Sequence, residues 1–190
     1  LHENLSEIEK SDVHKRLGLE KGKYILLSAH REENIDTEKN FISLFTAINK
    51  LAEKYDVDVI LDVPDTEIFN IAHNVKRVHV YSQHMDSLTV GKGMGRTLPE
   101  ALKAAGAAGV MLNHVEKPLT FEVLAETIKR AEEVGLTTIV CADSEEDAIK
   151  IATLNPDIIV AEPSELIGTG VSVGPEYVEA ATKCVKDVNA

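Results

Sequence analysis

The sequence has no tryptophan, and aromatic residues make up only 4% of its 190 residues. Positive charge is also scarce, since 20 Lys and Arg against 32 Asp and Glu give a formal net charge of −12. Nucleic-acid binding without sequence preference needs clustered cations for the phosphates and aromatic surfaces for the bases. We therefore expect no nucleic-acid partner, and an anionic ligand would have to be held by a local site.

Long hydrophobic runs and cysteine pairs are missing as well. No apolar segment approaches the roughly 20 residues that cross a bilayer, and residues 1–10 are too acidic for a signal peptide. The two cysteines, Cys141 and Cys184, show neither disulfide-framework nor metal-site spacing. We expect no membrane association, no metal, no cofactor and a location in the reducing cytoplasm.

Short apolar runs rich in Val, Ile and Leu recur along the chain and predict six β-strands. They cover residues 24–29, 57–63, 78–82, 109–113, 137–142 and 157–162. Amphipathic stretches predict helices at about 4–17, 38–54, 66–74, 97–105, 120–134, 144–154 and 175–188. This alternation indicates a single α/β domain over residues 1–190, with a parallel sheet of repeated βα units. Six strands fit an incomplete (β/α)₈ barrel or an open, doubly wound sheet of the Rossmann or flavodoxin type.

Polar side chains cluster where the predicted strands end, which is the edge where parallel α/β proteins bind ligands. They are Ser28, His30, Arg31, Asp62, Asp65, Gln83, His84, Asp86, Asn113, His114, Glu116, Asp143 and Glu162. A histidine and a carboxylate at neighbouring strand ends would suit general acid–base catalysis. The alternative is that these side chains cap the helices that follow.

Four segments between residues 57 and 190 resemble triosephosphate isomerase of the compact archaeal type, from its second strand to its sixth helix. They read "VDVILDVPDTEIFNIAHNVKRVHVYSQHMD", "AAGVMLNHVEK", "RAEEVGLTTIVCAD" and "LNPDIIVAEPSELIGTGVSV". The resemblance implies a partial TIM barrel. It also implies that His114, a neutral imidazole at a helix N-terminus, polarises the substrate carbonyl, with Asn113 and Glu116 in the same catalytic motif.

The same resemblance assigns the remaining parts of an active site. Glu162 is implied to be the base that moves a proton between adjacent carbons, and residues 163–171 to be a lid over the substrate phosphate. The implied phosphate-binding residues are Gly168, Thr169, Gly170 and Ser172. The expected ligand is accordingly a small phosphorylated molecule.

Several positions depart from the pattern of that family. Its Asn-x-Lys after the first strand would be Ser28 and His30 here, Val115 stands where the family has serine, and "GKGMGRT" (91–97) alters its third loop. No strand is predicted between residue 162 and Ala190, where the family's strands seven and eight would follow. These departures predict an isomerase-derived scaffold with weak or no activity. The alternatives are an active triosephosphate isomerase and a phosphate- or UDP-sugar-binding module.

A second resemblance covers the first 56 residues. Residues 17–55 are similar to a segment of non-hydrolysing UDP-N-acetylglucosamine 2-epimerases, and His30 and Arg31 match their His-Arg at the nucleotide-sugar site, with Glu33 nearby. The two resemblances together predict a chimera, engineered or recombined, with a junction near residue 56. A six-stranded sheet also leaves two unpaired edges, which predicts a homo-oligomer.

Overall fold

The computed structural model describes residues 38–166 together with Gly174, Tyr177, Lys183, Val185 and Val188. The chain divides into two compact units. One comprises Leu1–Val59 and Val75–Val78, and the other comprises Ile60–Asn74 and His79–Ala190. All the described residues of the candidate site belong to the second unit.

The described part of the first unit contains one long helix, α1 (Glu38–Tyr55), whose apolar residues recur at helical spacing. Among its residues 42–55, the apolar side chains of Phe45, Ile48 and Ala52 are buried. Asn49 accepts hydrogen bonds through Oδ1 from the backbone N–H groups of Lys76 and Arg77, at 2.8 and 3.2 Å. These two bonds tie the helix to the short segment at residues 75–78.

The second unit alternates strands and helices. The strands are β1 (Val59–Val63), β2 (Val78–Ser82), β3 (Gly109–Leu112), β4 (Thr137–Ala142) and β5 (Ile158–Ala161), the first residues of β1 and β2 being assigned to the first unit. The helices are α2 (Ile68–Ala72), α3 (Pro99–Ala105), α4 (Phe121–Val134) and α5 (Glu145–Ala152), and 3₁₀ turns cover Asp65–Glu67 and Ser164–Leu166. Five of the six predicted strands are thus present. The predicted strand at 24–29 and helix at 4–17 lie outside the described residues. None of the described helices is long and apolar enough to cross a membrane.

The strands form one sheet in the order β1-β2-β3-β4-β5. The pairs from β2 to β5 are parallel, with Met111 opposite Ile139 and Cys141 opposite Val160. A doubly wound sheet reverses its strand order at a switch point, whereas a (β/α)₈ barrel adds each strand beside the previous one. The sequential order fits the barrel expectation rather than the doubly wound alternative.

The core of the second unit centres on β4, whose residues 138–142 are all buried. An uninterrupted buried run is typical of a parallel strand covered on both faces. The buried side chains of α4 recur at helical spacing and comprise Leu124, Thr127, Ile128 and Ala131. The Thr120 hydroxyl caps this helix by accepting the Val123 N–H, and Gly135 ends it with a φ of +71°. Both helix ends are thereby fixed next to strand ends.

The first residue of β3 must be glycine. A Cβ at Gly109 would collide with the ring of Tyr81 and the carbonyl of Thr137, which belong to the two neighbouring strands. Gly109 pairs with these same two residues in the sheet. The missing side chain therefore allows β3 to lie between β2 and β4.

Candidate active site

A cavity of about 450 Å³ opens at the carboxyl ends of β3, β4 and β5. Its polar lining comprises Asn113, His114, Asp143, Asp147, Lys150 and Glu162. The apolar lining includes Phe121 and Leu124 of α4 and Ile151 of α5. The cavity thus lies at the edge where the sequence predicted ligand binding.

Asn113 is the first residue after β3 and adopts a left-handed backbone conformation, with a φ of +59°. Its side-chain Nδ2 donates a hydrogen bond of 2.9 Å to the carbonyl of Cys141 on β4. Its Oδ1 accepts one of 2.9 Å from the backbone N–H of Leu119. The amide therefore joins the ends of two strands and closes the loop at residues 113–119.

His114 borders the cavity with a side chain that is 31% exposed. Its Nδ1 lies 3.3 Å from the backbone nitrogen of Glu116, and its Nδ1 also lies 3.6 Å from the Glu116 carboxylate, which is beyond hydrogen-bond distance. A backbone N–H can only donate, so Nδ1 accepts and the proton of the neutral imidazole is on Nε2. This tautomer presents Nε2–H as the donor of the ring.

The surroundings of His114 differ from the helix N-terminus that the resemblance implies. The carbonyl of His114 accepts the Lys117 N–H at 2.8 Å, which makes residues 114–117 a single turn. The helix α4 begins only at Phe121. The His114 ring here accepts a hydrogen bond from one backbone N–H of a turn rather than facing a helix end.

Glu116, predicted as catalytic, does not line the cavity with its side chain. That side chain is 87% exposed. Its contribution to the site is the backbone N–H that bonds to His114.

Glu162 follows β5 directly and also borders the cavity. Its backbone N–H donates to the carbonyl of Ala142 at 2.9 Å, which extends the pairing of β4 and β5 by one residue. The side chain is exposed. The structure therefore brings His114 and Glu162 to the rim of the same cavity, as a base and an acid acting on one ligand would require.

The thiol of Cys141 lies in the cavity wall between these two residues in the sheet. Burial raises its pKa to about 11, and the carboxylates of Glu162 and Asp62 add to the shift. The thiol is consequently protonated at neutral pH and is not a nucleophile.

Helix α5 contributes side chains that the sequence prediction missed. Asp147 and Lys150 line the cavity, while Asp143 was recognised only as a strand-end residue. The signal was their spacing, because positions three apart on a helix share a face. Lys150 Nζ lies 3.1 Å from Glu146. The polar lining thus carries three carboxylates and one ammonium group.

The carboxyl ends of β1 and β2 carry a second polar cluster, in which the carboxylates of Asp65 and Asp86 are hydrogen-bonded to other members of the cluster. Asp65 accepts hydrogen bonds from Ser82 Oγ at 2.5 Å and Thr97 Oγ1 at 3.0 Å. Asp86 accepts the Thr97 N–H at 2.7 Å and pairs with Arg96 at 3.3 Å. Burial opposes ionisation of Asp86, but the Thr97 N–H and Arg96 outweigh it, so its pKa is lowered.

Two further groups at this edge are strongly affected by burial. Burial, reinforced by the neighbouring Asp65, raises the pKa of Asp62 to about 7. Burial also lowers the pKa of His84, against the opposing effect of Asp86. Asp62 Oδ1 and His84 Nδ1 are both buried without a hydrogen-bond partner among the described residues. Among all the residues that the structure describes, no group of three or more His, Cys, Asp or Glu is arranged to hold a metal ion.

The other predicted site residues lie outside the described residues. They are the phosphate-binding residues Gly168, Thr169, Gly170 and Ser172, and the nucleotide-sugar residues His30, Arg31 and Glu33.

Comparison with known proteins gives a consistent result. The family model described as "Triosephosphate isomerase" matches residues 32–190. Curated triosephosphate isomerases are similar as well. That of Sulfurisphaera tokodaii is 37% identical over 164 residues, which is 86% of this chain and 71% of the relative. That of Saccharolobus solfataricus is 37% identical over 147 residues, with 77% and 64% covered. That of Methanobacterium bryantii is 36% identical over 156 residues, with 80% and 69% covered.

These matches test the prediction that the chain is a chimera. The family match begins at residue 32 and runs across residue 56, where the junction between two parent families was predicted. The chimera and its epimerase-like part are therefore not supported. The chain spans about two thirds of the length of these relatives.

Proposed function

Because the chain belongs to the triosephosphate isomerase family, we propose that it moves a proton between adjacent carbons of a small phosphorylated sugar. The reaction would interconvert dihydroxyacetone phosphate and glyceraldehyde 3-phosphate. The observation that carries this proposal is the position of His114 and Glu162 on the rim of one cavity. An acid and a base must reach the same substrate to act on it. Family membership makes an active isomerase a better proposal than an inactive scaffold.

The proposed chemistry uses one base and one neutral hydrogen-bond donor. The Glu162 carboxylate takes a proton from the carbon next to the substrate carbonyl, and negative charge develops on the carbonyl oxygen. His114 stabilises that charge by donating from Nε2–H, which follows from the acceptor role of its Nδ1. The hydroxyl proton of the deprotonated carbon then moves to the former carbonyl oxygen, and Glu162 returns its proton to the former carbonyl carbon as the new carbonyl forms. Asn113 and the Glu116 N–H hold His114 in place.

The substrate phosphate requires a binding site of its own. We assign it to the backbone around Gly168, Thr169 and Gly170 with the Ser172 hydroxyl, since glycines allow backbone N–H groups to approach a phosphate. Within the described lining, Lys150 is the only Lys or Arg, and Asp143 and Asp147 oppose a dianion. This balance of charge favours a high KM, and it is the observation that keeps weak activity as the second candidate.

A coupled assay of the triose phosphate interconversion tests the proposal. We expect wild-type turnover, and a loss of about 10²–10⁴-fold in kcat for Glu162→Gln, because that range is typical of a general base. Glu126→Gln is the matched control, since Glu126 is an exposed glutamate on α4 that does not line the cavity. Its turnover should equal that of the wild type.

Wild-type protein without turnover, or Glu162→Gln with undiminished turnover, would refute the proposal. Binding of a UDP-sugar has no support from the described residues, because its predicted residues are His30, Arg31 and Glu33. Assembly into a homo-oligomer is retained as part of the proposal.

A further inference from the structure

We propose that Asn113 is a positioning residue that fixes the imidazole of His114 relative to Glu162 by binding the end of β4. The inference rests on the proposed function of His114 and Glu162. It changes the role of Asn113 from a catalytic residue, as the sequence predicted, to one that acts through its neighbour.

The backbone of Asn113 accounts for the first part of this role. With a φ of +59° the chain leaves β3 in the left-handed region, where residues other than glycine are uncommon and asparagine is among those most often found. The turn out of the strand is therefore made by the residue directly before His114. Glycine would allow the same conformation, so the backbone alone does not account for an asparagine.

The side chain of Asn113 provides the second part. Its amide donates to the Cys141 carbonyl and accepts from the Leu119 N–H, both at 2.9 Å. These bonds hold the first and last residues of the loop at 113–119 together and fasten them to β4. Aspartate could accept the bond from Leu119 but could not donate to a carbonyl, and glycine could do neither.

Glu162 is attached to the same short piece of β4. The carbonyl of Cys141 binds Asn113, and the next carbonyl, of Ala142, accepts the Glu162 N–H at 2.9 Å. Successive carbonyls of a strand point to opposite neighbouring strands, so these two bonds reach β3 and β5 respectively. Two successive carbonyls of β4 therefore hold the two loops that carry the reacting side chains.

The contacts of His114 depend on this closure. The Glu116 N–H that selects its tautomer and the Lys117 N–H that binds its carbonyl both lie inside the loop that Asn113 closes. Without the Asn113 amide, the loop loses this hydrogen bond to β4 and the bond that closes it at Leu119. We expect the ring of His114 to lose its fixed orientation and its single tautomer.

The variant Asn113→Gly tests this inference, because it keeps the left-handed conformation and removes both side-chain bonds. The matched control is Asn155→Gly, since Asn155 has a φ of +54° and is an exposed residue outside this cavity. The first readout is ¹⁵N NMR of the histidine rings, with the His114 signals assigned from His114→Gln among seven histidines. The second readout is kcat and KM of the isomerase reaction.

In Asn113→Gly we expect the ring nitrogens of His114 to shift toward a mixture of tautomers. We also expect kcat to fall by about tenfold to a hundredfold, because small misplacements of reacting groups have effects of that size, with KM changed by less than about twofold. Asn155→Gly should retain wild-type signals and turnover. Asn113→Asp, which keeps the bond to Leu119, serves as a second variant and should also lower kcat.

Wild-type His114 signals in Asn113→Gly would overturn the inference, and so would Asn113→Asp with wild-type signals and kcat. The NMR readout does not require turnover. A wild-type protein without isomerase activity would thus refute the proposed function, while the ring signals would still decide the role of Asn113.

Discussion

At the carboxyl ends of the strands, the polar side chains that follow β1 and β2 have different surroundings from those that follow β3 to β5. At the ends of β1 and β2, Asp65 and Asp86 accept hydrogen bonds from side chains and backbone of the same cluster. At the ends of β3 to β5, His114 and Glu162 face a cavity, and the bonds that hold them come mainly from the backbone. We name these regions the closed edge and the open edge.

The difference shows which polar strand ends to interpret as functional. A carboxylate with all its partners inside the protein stabilises the fold, whereas one that the backbone places beside a cavity can react with a ligand. Among the described residues the Glu162 carboxylate makes no hydrogen bond, and the His114 ring accepts one through Nδ1. Substitutions at the open edge should therefore change activity, and substitutions at the closed edge should change stability.

The largest effect is expected at His114. His114→Gln should lower kcat by about 10²–10³-fold, the range observed when one donor to a developing oxyanion is removed. Stability should change little, because the side chain is partly exposed. Steady-state kinetics and urea unfolding measure the two quantities, with His73→Gln, an exposed histidine outside the cavity, as control. A large loss of stability with unchanged kcat would contradict the claim that the open edge serves activity and the closed edge serves stability.

Asp62 should produce the next largest effect, on stability. Its pKa of about 7 in the folded protein exceeds its ordinary value of 3.8, so the folded state binds more protons between these values. The contribution of Asp62 to the free energy of unfolding should therefore be fully present below pH 3.8 and be lost as the pH rises through about 7. Asp62→Asn removes this loss and should be more stable than the wild type at pH 8 by about 2–4 kcal/mol, since one pKa unit corresponds to about 1.4 kcal/mol.

Urea unfolding at pH 5 and pH 8 measures the effect of Asp62→Asn. Asp56→Asn is the control, because Asp56 is an exposed aspartate on the surface of the first unit. Its effect should be similar at both pH values. If Asp62→Asn were no more stable than the wild type at pH 8, the ionised Asp62 carboxylate would not destabilise the folded protein, and this prediction would be wrong.

The smallest effect is expected from Asp65. Asp65→Ala removes the acceptor of the Thr97 hydroxyl and leaves the Ser82 hydroxyl only the His84 carbonyl at 2.6 Å, so it should destabilise the protein by about 1–3 kcal/mol. A double-mutant cycle with Thr97→Val isolates the bond between Asp65 and Thr97, with an expected coupling of about 0.5–1.5 kcal/mol. A coupling free energy of zero would mean that the hydrogen bond between Asp65 and Thr97 does not stabilise the closed edge.

Local patterns in the sequence were sufficient for most of the described fold. The Val- and Ile-rich runs predicted β1 to β5, and the apolar spacing of α1 and α4 predicted those helices within one or two residues. Strand order could not be predicted, because a parallel strand buried on both faces reads the same in a barrel and in a doubly wound sheet. The short 3₁₀ turn at Asp65–Glu67 was merged with α2 for a similar reason, since the two share a period of about three to four residues.

The site was predictable where function depends on position at a strand end, and less so elsewhere. Asn113, His114 and Glu162 all follow strands and all line the cavity. Lys150 was missed because its place depends on how α5 turns toward the sheet, which no strand-end rule describes. The positioning role proposed for Asn113 could not be predicted from the sequence, because its bond to the Cys141 carbonyl depends on the pairing of β3 with β4.

Proton abstraction by Glu162 at the open edge is the central claim, and deuterium exchange tests it most directly. Dihydroxyacetone phosphate would be incubated with the protein in D₂O and followed by ¹H NMR. We predict that the wild type introduces deuterium at the carbon beside the carbonyl and that Glu162→Gln does so at least about a hundredfold more slowly. Exchange by the wild type at the rate of buffer alone, or equal exchange by both proteins, would contradict the account.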